Sequence, residues 1–431
     1  MLILRARPNL TLFARAALLV ALLAACGHNE RDDIILDPTN NHAVSYWHDV
    51  GAATVNASAA VATTPEEQRP SFATDLATMH LAIYDAVSAI DGHYKPFLQG
   101  TSMSTAPGAS MDAAVSAASY GVLRALFPNR TAQYQAAYDS YVATIPAGEA
   151  KTRGLALGAE VAAAIVANRS NDGRAIALAP YVPGTAPGAF RGLNPVSRFF
   201  PSIRPFTLTS TSQFRPPAPP ALDSVAYATD LNEVKALGGA VSATRTSAQF
   251  ETARFHTEAP AIFLTRNFGK FARTTPDVAD AARLMAIIYV GYADAIGACF
   301  EAKYFYEAWR PLSAIPLADT DNNPATVPDP GWMPSMPTPN HPEYPAAHSC
   351  TAGALGELLR QYYGTEKVSF SFDSTVTGTT RTYTKTDAFA EESRIARIYG
   401  GMHFRYSTLA GAELGKQVAN WTLQHQFGKR N

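Results

Sequence analysis

The sequence has 431 residues, of which 47% are hydrophobic and 16% are charged, so it has the composition of a globular protein with room for one large domain or two. The formal net charge is −1. A chain with so little excess of either charge has no overall electrostatic attraction for nucleic acid, and we expect no nucleic-acid partner.

The N-terminus has the pattern of an export signal. Arginines precede the apolar run "AALLVALLAAC" at residues 16–26, which is too short to span a bilayer. Its last four residues resemble a lipobox, in which Cys26 becomes the lipidated first residue of the mature protein. We therefore predict a lipoprotein signal peptide at 1–25 and a polar tether at 26–45, with a simple signal peptide or a buried helix as alternatives. The protein would be exported and would contact the membrane only through its lipid anchor.

Two further cysteines, Cys299 and Cys350, remain in the body of the chain. In an exported protein, two cysteines favour one disulfide, and two buried free thiols are the alternative.

Most of the chain shows helical periodicity, so the predicted fold class is mainly α. In the first helical segment, apolar side chains recur on one stripe; the next two are rich in alanine and glycine, which permits close helix packing. The predicted helical segments are 75–92, 111–127, 154–170, 276–310 and 407–427.

Two proline-rich stretches interrupt the helical pattern. Residues 180–220 hold ten prolines and residues 324–345 hold eight, which excludes ordinary helices and central strands there. Long irregular segments within a compact domain are usually functional or disordered. Residues 368–385 alternate and are rich in Thr and Ser, which predicts one small exposed β-hairpin.

The first candidate motif is "KYFYEAWRP", residues 303–311. Lys303 and Arg310 are seven residues apart, which places both cations on the same side of one helix, and Pro311 ends or kinks that helix. The alternative is a solvated helix face on which Glu307 pairs with Lys303.

The second motif is "HPEYPAAHSC", residues 341–350. Prolines would hold the His341 and His348 rings in place without a surrounding helix. The stretch then enters a predicted helix whose N-terminal amides favour an anion, and the small Ala346 and Ala347 leave the backbone accessible to it. The alternative is a surface loop that happens to contain histidines.

The third motif is "ARIYGGMHF", residues 396–404, in which five residues separate Arg397 from His403. Gly400 and Gly401 are expected to end one helix, and His403 to enter the next. Taken alone, the motif is also compatible with a structural arginine and a core histidine. Together, the three motifs supply a lysine and two arginines, which suit the oxygens of a tetrahedral oxyanion, and histidines that can attack, ligate or transfer a proton.

In their order and spacing, these motifs resemble those of the vanadium-dependent haloperoxidase and type 2 phosphatidic acid phosphatase (PAP2) superfamily, whose pattern is K-x6-RP, PSGH and SR-x5-H-x3-D. They cover residues 303–407, and "HLAIYDAVSAIDGHYKPF" near residue 80 resembles the helical N-terminal half of bacterial haloperoxidase-like members. The resemblance implies a single helical-bundle domain at 46–431.

The resemblance also implies roles for individual residues. Lys303, Arg310, Arg397 and the Ala347 amide would surround the oxygens of vanadate or phosphate. His403 would be the axial vanadium ligand, or the phosphohistidine nucleophile of a phosphatase. The catalytic residues would be His348, as general acid and base, with His403 and Lys303.

Three positions depart from the family pattern: Ala346 replaces the motif serine, Ala347 replaces the glycine, and Ser407 replaces the terminal aspartate. Ser407 lies four residues after His403 and is expected to orient its ring. His341 matches the place of a second active-site histidine in algal bromoperoxidases, which favours the peroxidase over the phosphatase.

The predicted function is oxidation of halide by hydrogen peroxide with vanadate as cofactor, whose site also accepts phosphate. One alternative is a phosphatase that hydrolyses phosphate esters through a phosphohistidine. Another, favoured by the departures at Ala346 and Ser407, is a non-catalytic oxyanion-binding lipoprotein. Cys299 and Cys350 flank the predicted site, near Lys303 and His348, so a disulfide between them would join its parts.

Overall fold

A computed structural model of the protein describes residues 34–35, 42–61, 71–99 and 104–430. All of these described residues belong to one compact unit. The predicted signal peptide and its lipidation site, Cys26, lie outside the described residues.

The described chain is mainly α-helical, as predicted. The helices of its first part are α1 (Ala43–Val61), α2 (Leu76–Asp91), α3 (Met111–Leu126), α4 (Thr131–Thr144) and α5 (Glu149–Arg169). Those of its second part are α6 (Val225–Gly238), α7 (Ser247–Phe255), α8 (Pro260–Thr274), α9 (Val278–Tyr306), α10 (Pro311–Ala314), α11 (Ala347–Tyr363), α12 (Ala388–Tyr399) and α13 (Arg405–His425). The five helical segments predicted from periodicity correspond to α2, α3, α5, α9 and α13.

Helices α2 and α9 form the centre of the main hydrophobic core. Fifteen of the sixteen residues of α2 are buried, because the helix is apolar on nearly every face. Helix α9 packs on α2, α8, α11 and α13. By length and composition it alone among the described helices could cross a membrane, but 94% of its apolar window is buried inside the protein, as expected for a core helix.

The predicted hairpin consists of β2 (Val368–Ser374) and β3 (Thr379–Tyr383), paired antiparallel. The expectation of an exposed hairpin was only half right. Alternate residues of β2 are buried, and its Phe370 and Phe372 side chains join the main core. Successive side chains of a strand point to opposite faces, so a core that covers one face of the hairpin buries every second residue.

The segment predicted as a tether is described only in part. Strand β1 (Ile34–Ile35) pairs parallel to the start of β2. Helix α1 begins at Ala43, and Ala43 and Val44 are fully buried, so the boundary drawn at residue 45 falls inside a core helix.

Helices α11 and α13 cross very closely, and this contact brings the second and third motifs together. A β-carbon at Gly415 would lie 2.0 Å from the Cys350 carbonyl oxygen, and one at Gly411 would lie 2.6 Å from that of Ala346. Only glycine permits this approach of one helix backbone to another.

We expect Gly415→Ala to destabilise the protein. Alanine is favoured over glycine in a helix by about 1 kcal/mol, but a β-carbon 2.0 Å from a backbone oxygen forces the two helices apart, and overpacking costs about 1–3 kcal/mol or more. Gly428→Ala is the control, because no atom lies within 4 Å of its added β-carbon. Thermal unfolding should show a lower midpoint for Gly415→Ala alone; an unchanged midpoint would contradict the tight crossing.

Candidate active site

The first motif does not form one continuous helix, contrary to the prediction. Helix α9 ends at Tyr306, because Glu307 adopts a left-handed conformation with φ of 46°. Lys303 therefore lies in the last turn of α9, whereas Arg310 follows the turn and immediately precedes α10. The spacing of seven still brings both cations to one site, but through a reversal of the chain that also buries Trp309.

Arg310 links the second and third motifs. Its Nε donates to the His341 carbonyl at 2.8 Å, and its Nη2 donates to Nδ1 of the His341 ring at 2.9 Å. Its Nη1 donates to the Met402 carbonyl and to Nε2 of His403, each at 2.8 Å. The guanidinium thus fixes both histidines, which matches the planar, multidentate binding for which arginine is suited.

Lys303 is fully buried and does not pair with Glu307. Its Nζ donates to the backbone carbonyls of Pro342 and Glu343 at 2.8 and 2.9 Å. Burial and the nearby Arg310 lower the pKa of Lys303 well below its usual value. A bound anion would oppose this effect by stabilising the ammonium form.

Arg397 lies near the end of α12, and His403 follows it in the turn that leads to α13. Helix α12 ends at Tyr399, and Gly401 adopts a left-handed φ of 75° that turns the chain, as the paired glycines predicted. His403 lies in this turn, two residues before α13 begins, instead of inside that helix. Arg397 donates to the His256 carbonyl at 3.1 Å and also contacts the Met402 sulfur.

Glu343 is the site residue that sequence analysis missed. Its Oε1 accepts from Nδ1 of His403 at 2.9 Å and from the Phe404 amide at 3.0 Å. A carboxylate that accepts from Nδ1 fixes the proton there and leaves a lone pair on Nε2 of His403, which here accepts from Arg310. We name the three buried cations Lys303, Arg310 and Arg397 the cage. Three buried cations need a nearby anion, and this charge balance was the signal from which a buried carboxylate could have been predicted.

Ser407 does not orient the His403 ring, contrary to the expectation. Its hydroxyl lies 3.4 Å from the Glu343 carbonyl oxygen, and it is fully buried. The serine side chain is too short to reach the ring, and its hydroxyl instead contacts the loop that carries Glu343. The carboxylate that orients the ring therefore comes from the proline-rich loop.

His348 is the second residue of α11, and Ala346 and Ala347 precede it at the helix start. Ala346 adopts the extended conformation of an N-cap but has no side-chain oxygen to accept from the first-turn amides. These amides therefore provide the positive end of a helix next to His348. A disulfide joins Cys299 of α9 to Cys350 of α11, and so ties the helix of Lys303 to the helix of His348.

The site carries an excess of buried positive charge. Lys303, Arg310 and Arg397 are each at most 2% exposed, and within the described part of the chain Glu343 is the single carboxylate in hydrogen-bond contact with His403. Burial lowers the pKa of Arg310 to about 10 and that of Arg397 to about 9, while burial raises the pKa of Glu343 to about 7. Uncompensated buried charge is costly unless an opposite charge arrives.

A tetrahedral oxyanion fits this environment. Among the described residues, the Nε of Arg397 is buried without a hydrogen-bond partner. An anion would supply an acceptor for it and would offset the excess cationic charge. The same donor set suits vanadate and phosphate. Nε2 of His403 would ligate or attack the central atom once Arg310 donated to the oxyanion instead of to this nitrogen.

We expect Ala346→Ser to strengthen phosphate binding. A serine N-cap adds about 0.5–2 kcal/mol to helix stability by accepting from a first-turn amide, and its hydroxyl can donate to a bound oxyanion. One added hydrogen bond contributes about 0.5–1.5 kcal/mol, or roughly two- to tenfold in affinity. Isothermal titration with phosphate and thermal unfolding measure the two effects. Weaker phosphate binding would show that the cage is too tight at this position.

A large cavity of about 480 Å³ opens beside the oxyanion site. His341, His348 and Arg397 line this cavity, together with Pro337 and Pro339 of the 324–345 loop. The predicted loop does line the site. His256, also in the wall, lies far from the motifs in sequence, and Nε2 of its ring pairs with Glu392 at 3.0 Å.

Comparison with known proteins agrees with this geometry. Residues 283–429 match the model of the VCPO second helical-bundle domain. Vanadium chloroperoxidase of Curvularia inaequalis is 34% identical over 95 residues, a match that covers 20% of this chain and only 15% of that protein.

Solved structures of bacterial enzymes share the fold over most of the chain. A bacterial vanadium-dependent iodoperoxidase superposes with a TM-score of 0.73 at 22% identity, covering 90% of this chain and 98% of that one. A holo-type bacterial vanadium-dependent chloroperoxidase gives a TM-score of 0.68 at 14% identity, covering 90% and 99%. The chain therefore has the fold of the bacterial vanadium haloperoxidases, and its residues 283–429 match the family model of the VCPO second helical-bundle domain.

Proposed function

We propose that this protein is a vanadate-dependent haloperoxidase that oxidises halide with hydrogen peroxide. The observation that carries the proposal is the cage of Lys303, Arg310 and Arg397 around His403, whose Nδ1 donates to the buried carboxylate of Glu343. The family match over the three motifs supports it. When bound, vanadate supplies a Lewis acid that activates peroxide towards halide.

Each group of residues in the site has its own role in the proposed reaction. The three cations bind and orient the oxyanion, and their buried charge stabilises negative charge that develops on its oxygens. His403 provides the ligand nitrogen. His348 faces the cavity, and burial together with Arg397 holds its pKa well below the usual value, which favours the neutral ring. A bound oxyanion would oppose this effect, so that the ring could take up and return a proton.

The test compares two reactions of the purified protein. Loaded with orthovanadate, it should brominate a phenolic dye in the presence of bromide and peroxide, and His403→Ala should abolish this activity. His425→Ala, on the exposed end of α13, is the matched control. The vanadate-free protein is assayed for phosphate-ester hydrolysis.

The two assays separate the candidate functions. Hydrolysis without bromination would make the protein a phosphatase. Absence of both activities, with phosphate still bound, would favour the non-catalytic oxyanion-binding protein.

We also propose that the protein is exported and anchored through a lipid on Cys26. The Cys299–Cys350 disulfide supports an oxidising compartment. Mass spectrometry of the mature N-terminus should find a lipidated Cys26, and an N-terminus that retains residues 1–25 would contradict the proposal.

A further inference from the structure

The cavity beside the oxyanion site is lined mainly by apolar and aromatic side chains, several of which come from α8, α9 and α11. We call it the aromatic chamber. Among its walls are Phe263 and Phe268 of α8, Tyr292 and Phe300 of α9, and Ala352 and Leu355 of α11. A volume of about 480 Å³ lies in the range of pockets that enclose drug-sized organic molecules, which is about 300–1,000 Å³. Halide and peroxide alone need only a small part of it.

The charges in the wall indicate the chemistry of the occupant. Of the described residues that line the chamber, only Glu258 and Arg397 carry full charges. Both Glu258 oxygens accept from Arg266 at 2.7 Å, so this carboxylate already has its counterion. Arg397 belongs to the oxyanion site. A charged ligand would find no free partner away from that site, so the occupant is expected to be uncharged.

The aromatic rings indicate its shape. Several wall rings already pack against each other, such as Phe263 on Phe389 and Phe268 on Tyr292. Aromatic walls favour planar rings, which they contact edge-to-face or in offset stacks. His348 and Arg397 line the same chamber as these rings, so a bound ring would lie near the place where the proposed reaction releases its oxidant.

We propose that the aromatic chamber binds an uncharged, electron-rich aromatic molecule as the acceptor of halogenation. This inference rests on the proposed function. Hypohalous acid transfers its halogen to a ring carbon: the carbon–halogen bond forms, the halogen–oxygen bond breaks, and the hydroxide released takes the ring proton to leave water. The acceptor would thus be halogenated while bound, instead of by oxidant that diffuses away.

Binding is tested first, without any turnover. N-phenyl-1-naphthylamine, an uncharged aromatic fluorophore, should bind to the full-length protein and be displaced by 2-naphthol. Ala352→Trp fills the chamber and should weaken binding of the probe at least tenfold. Val241→Trp, at a position that is 94% exposed, adds the same ring outside and should leave binding unchanged.

A second variant and a second ligand protect the test against misfolding. Leu355→Trp fills the chamber from the next turn of α11 and should weaken probe binding in the same way. Phosphate titration reports whether the oxyanion site is still folded and should change less than threefold in both variants. Absence of probe binding to the wild type, or full binding in both filled variants, would overturn the proposal.

Competition then tests halogenation of the bound acceptor. With 2-naphthol and 4-hydroxybenzenesulfonate in one reaction, the vanadate-loaded protein should favour 2-naphthol at least tenfold more than free hypobromite does. Ala352→Trp should return the product ratio towards that of hypobromite. A wild-type ratio equal to that of hypobromite would overturn the chamber proposal while leaving halide oxidation established, whereas the absence of any bromination would count against the proposed function itself.

Discussion

Replacing Glu343 with glutamine is expected to lower the affinity for vanadate at least tenfold relative to the affinity for phosphate. Glu343 accepts from Nδ1 of His403 and thereby keeps Nε2 basic. Changes to such supporting groups typically reduce metal affinity about 10- to 100-fold. Removing the carboxylate also removes a negative charge from the cage, which favours any bound anion. For vanadate, which needs the Nε2 ligand, the loss of Nε2 basicity and the loss of the negative charge have opposite effects on affinity. For phosphate, only the loss of the negative charge applies.

The ratio of the two affinities is therefore the decisive quantity, measured by titrating each oxyanion into the same protein. Glu392→Gln is the matched control, because Glu392 accepts from His256 at 3.0 Å in a similar carboxylate–histidine pair that does not involve His403. Its affinity ratio should stay at the wild-type value. Nitrogen NMR of the histidine rings provides a separate readout: His403 should carry its proton on Nδ1 in the wild type and populate both tautomers in Glu343→Gln. Equal losses of affinity for both oxyanions would mean that Glu343 acts only as a structural residue.

Periodicity predicted the helices that are apolar over many turns, because such sequences are stable only when they are buried in the core. Helix α9 is the clearest case, yet its end was misplaced. Glu307 adopts a left-handed conformation, which glycine or asparagine usually signals, and the turn is stabilised by burial of Trp309 and Arg310 in contacts distant in sequence. The local sequence alone does not predict these contacts.

The site was predicted where the chemistry depends on residue type and spacing, and missed where it depends on loop geometry. Lys303, Arg310 and Arg397 lie near His403, as the order of the motifs implied. They do so although the chain between Lys303 and Arg310 does not follow the predicted helix. Glu343 was missed because a charged residue in a proline-rich segment suggests an exposed loop. Its burial is offset by the neighbouring cations Lys303 and Arg310, which is a property of the folded cage.

Replacing His348 with alanine is expected to reduce turnover about 10²- to 10⁴-fold, the usual contribution of a general acid or base, and to leave vanadate affinity within about fivefold of the wild type. His348 faces the aromatic chamber at the start of α11, whereas the groups that would hold the oxyanion are the three cations and His403. Its loss removes proton transfer but not the binding charges, and the amides at the start of α11 remain.

Steady-state bromination and vanadate titration on the same preparation separate the two roles. His403→Ala should lose both affinity and turnover, since it removes the ligand nitrogen. His93→Ala, whose ring is 78% exposed beside Asp91, should change neither. If His348→Ala lost vanadate affinity as completely as His403→Ala, then His348 would be a binding group, and proton transfer would fall to another residue. His341 is the residue that the geometry offers, because its ring lines the same chamber and is fixed by Arg310 at 2.9 Å.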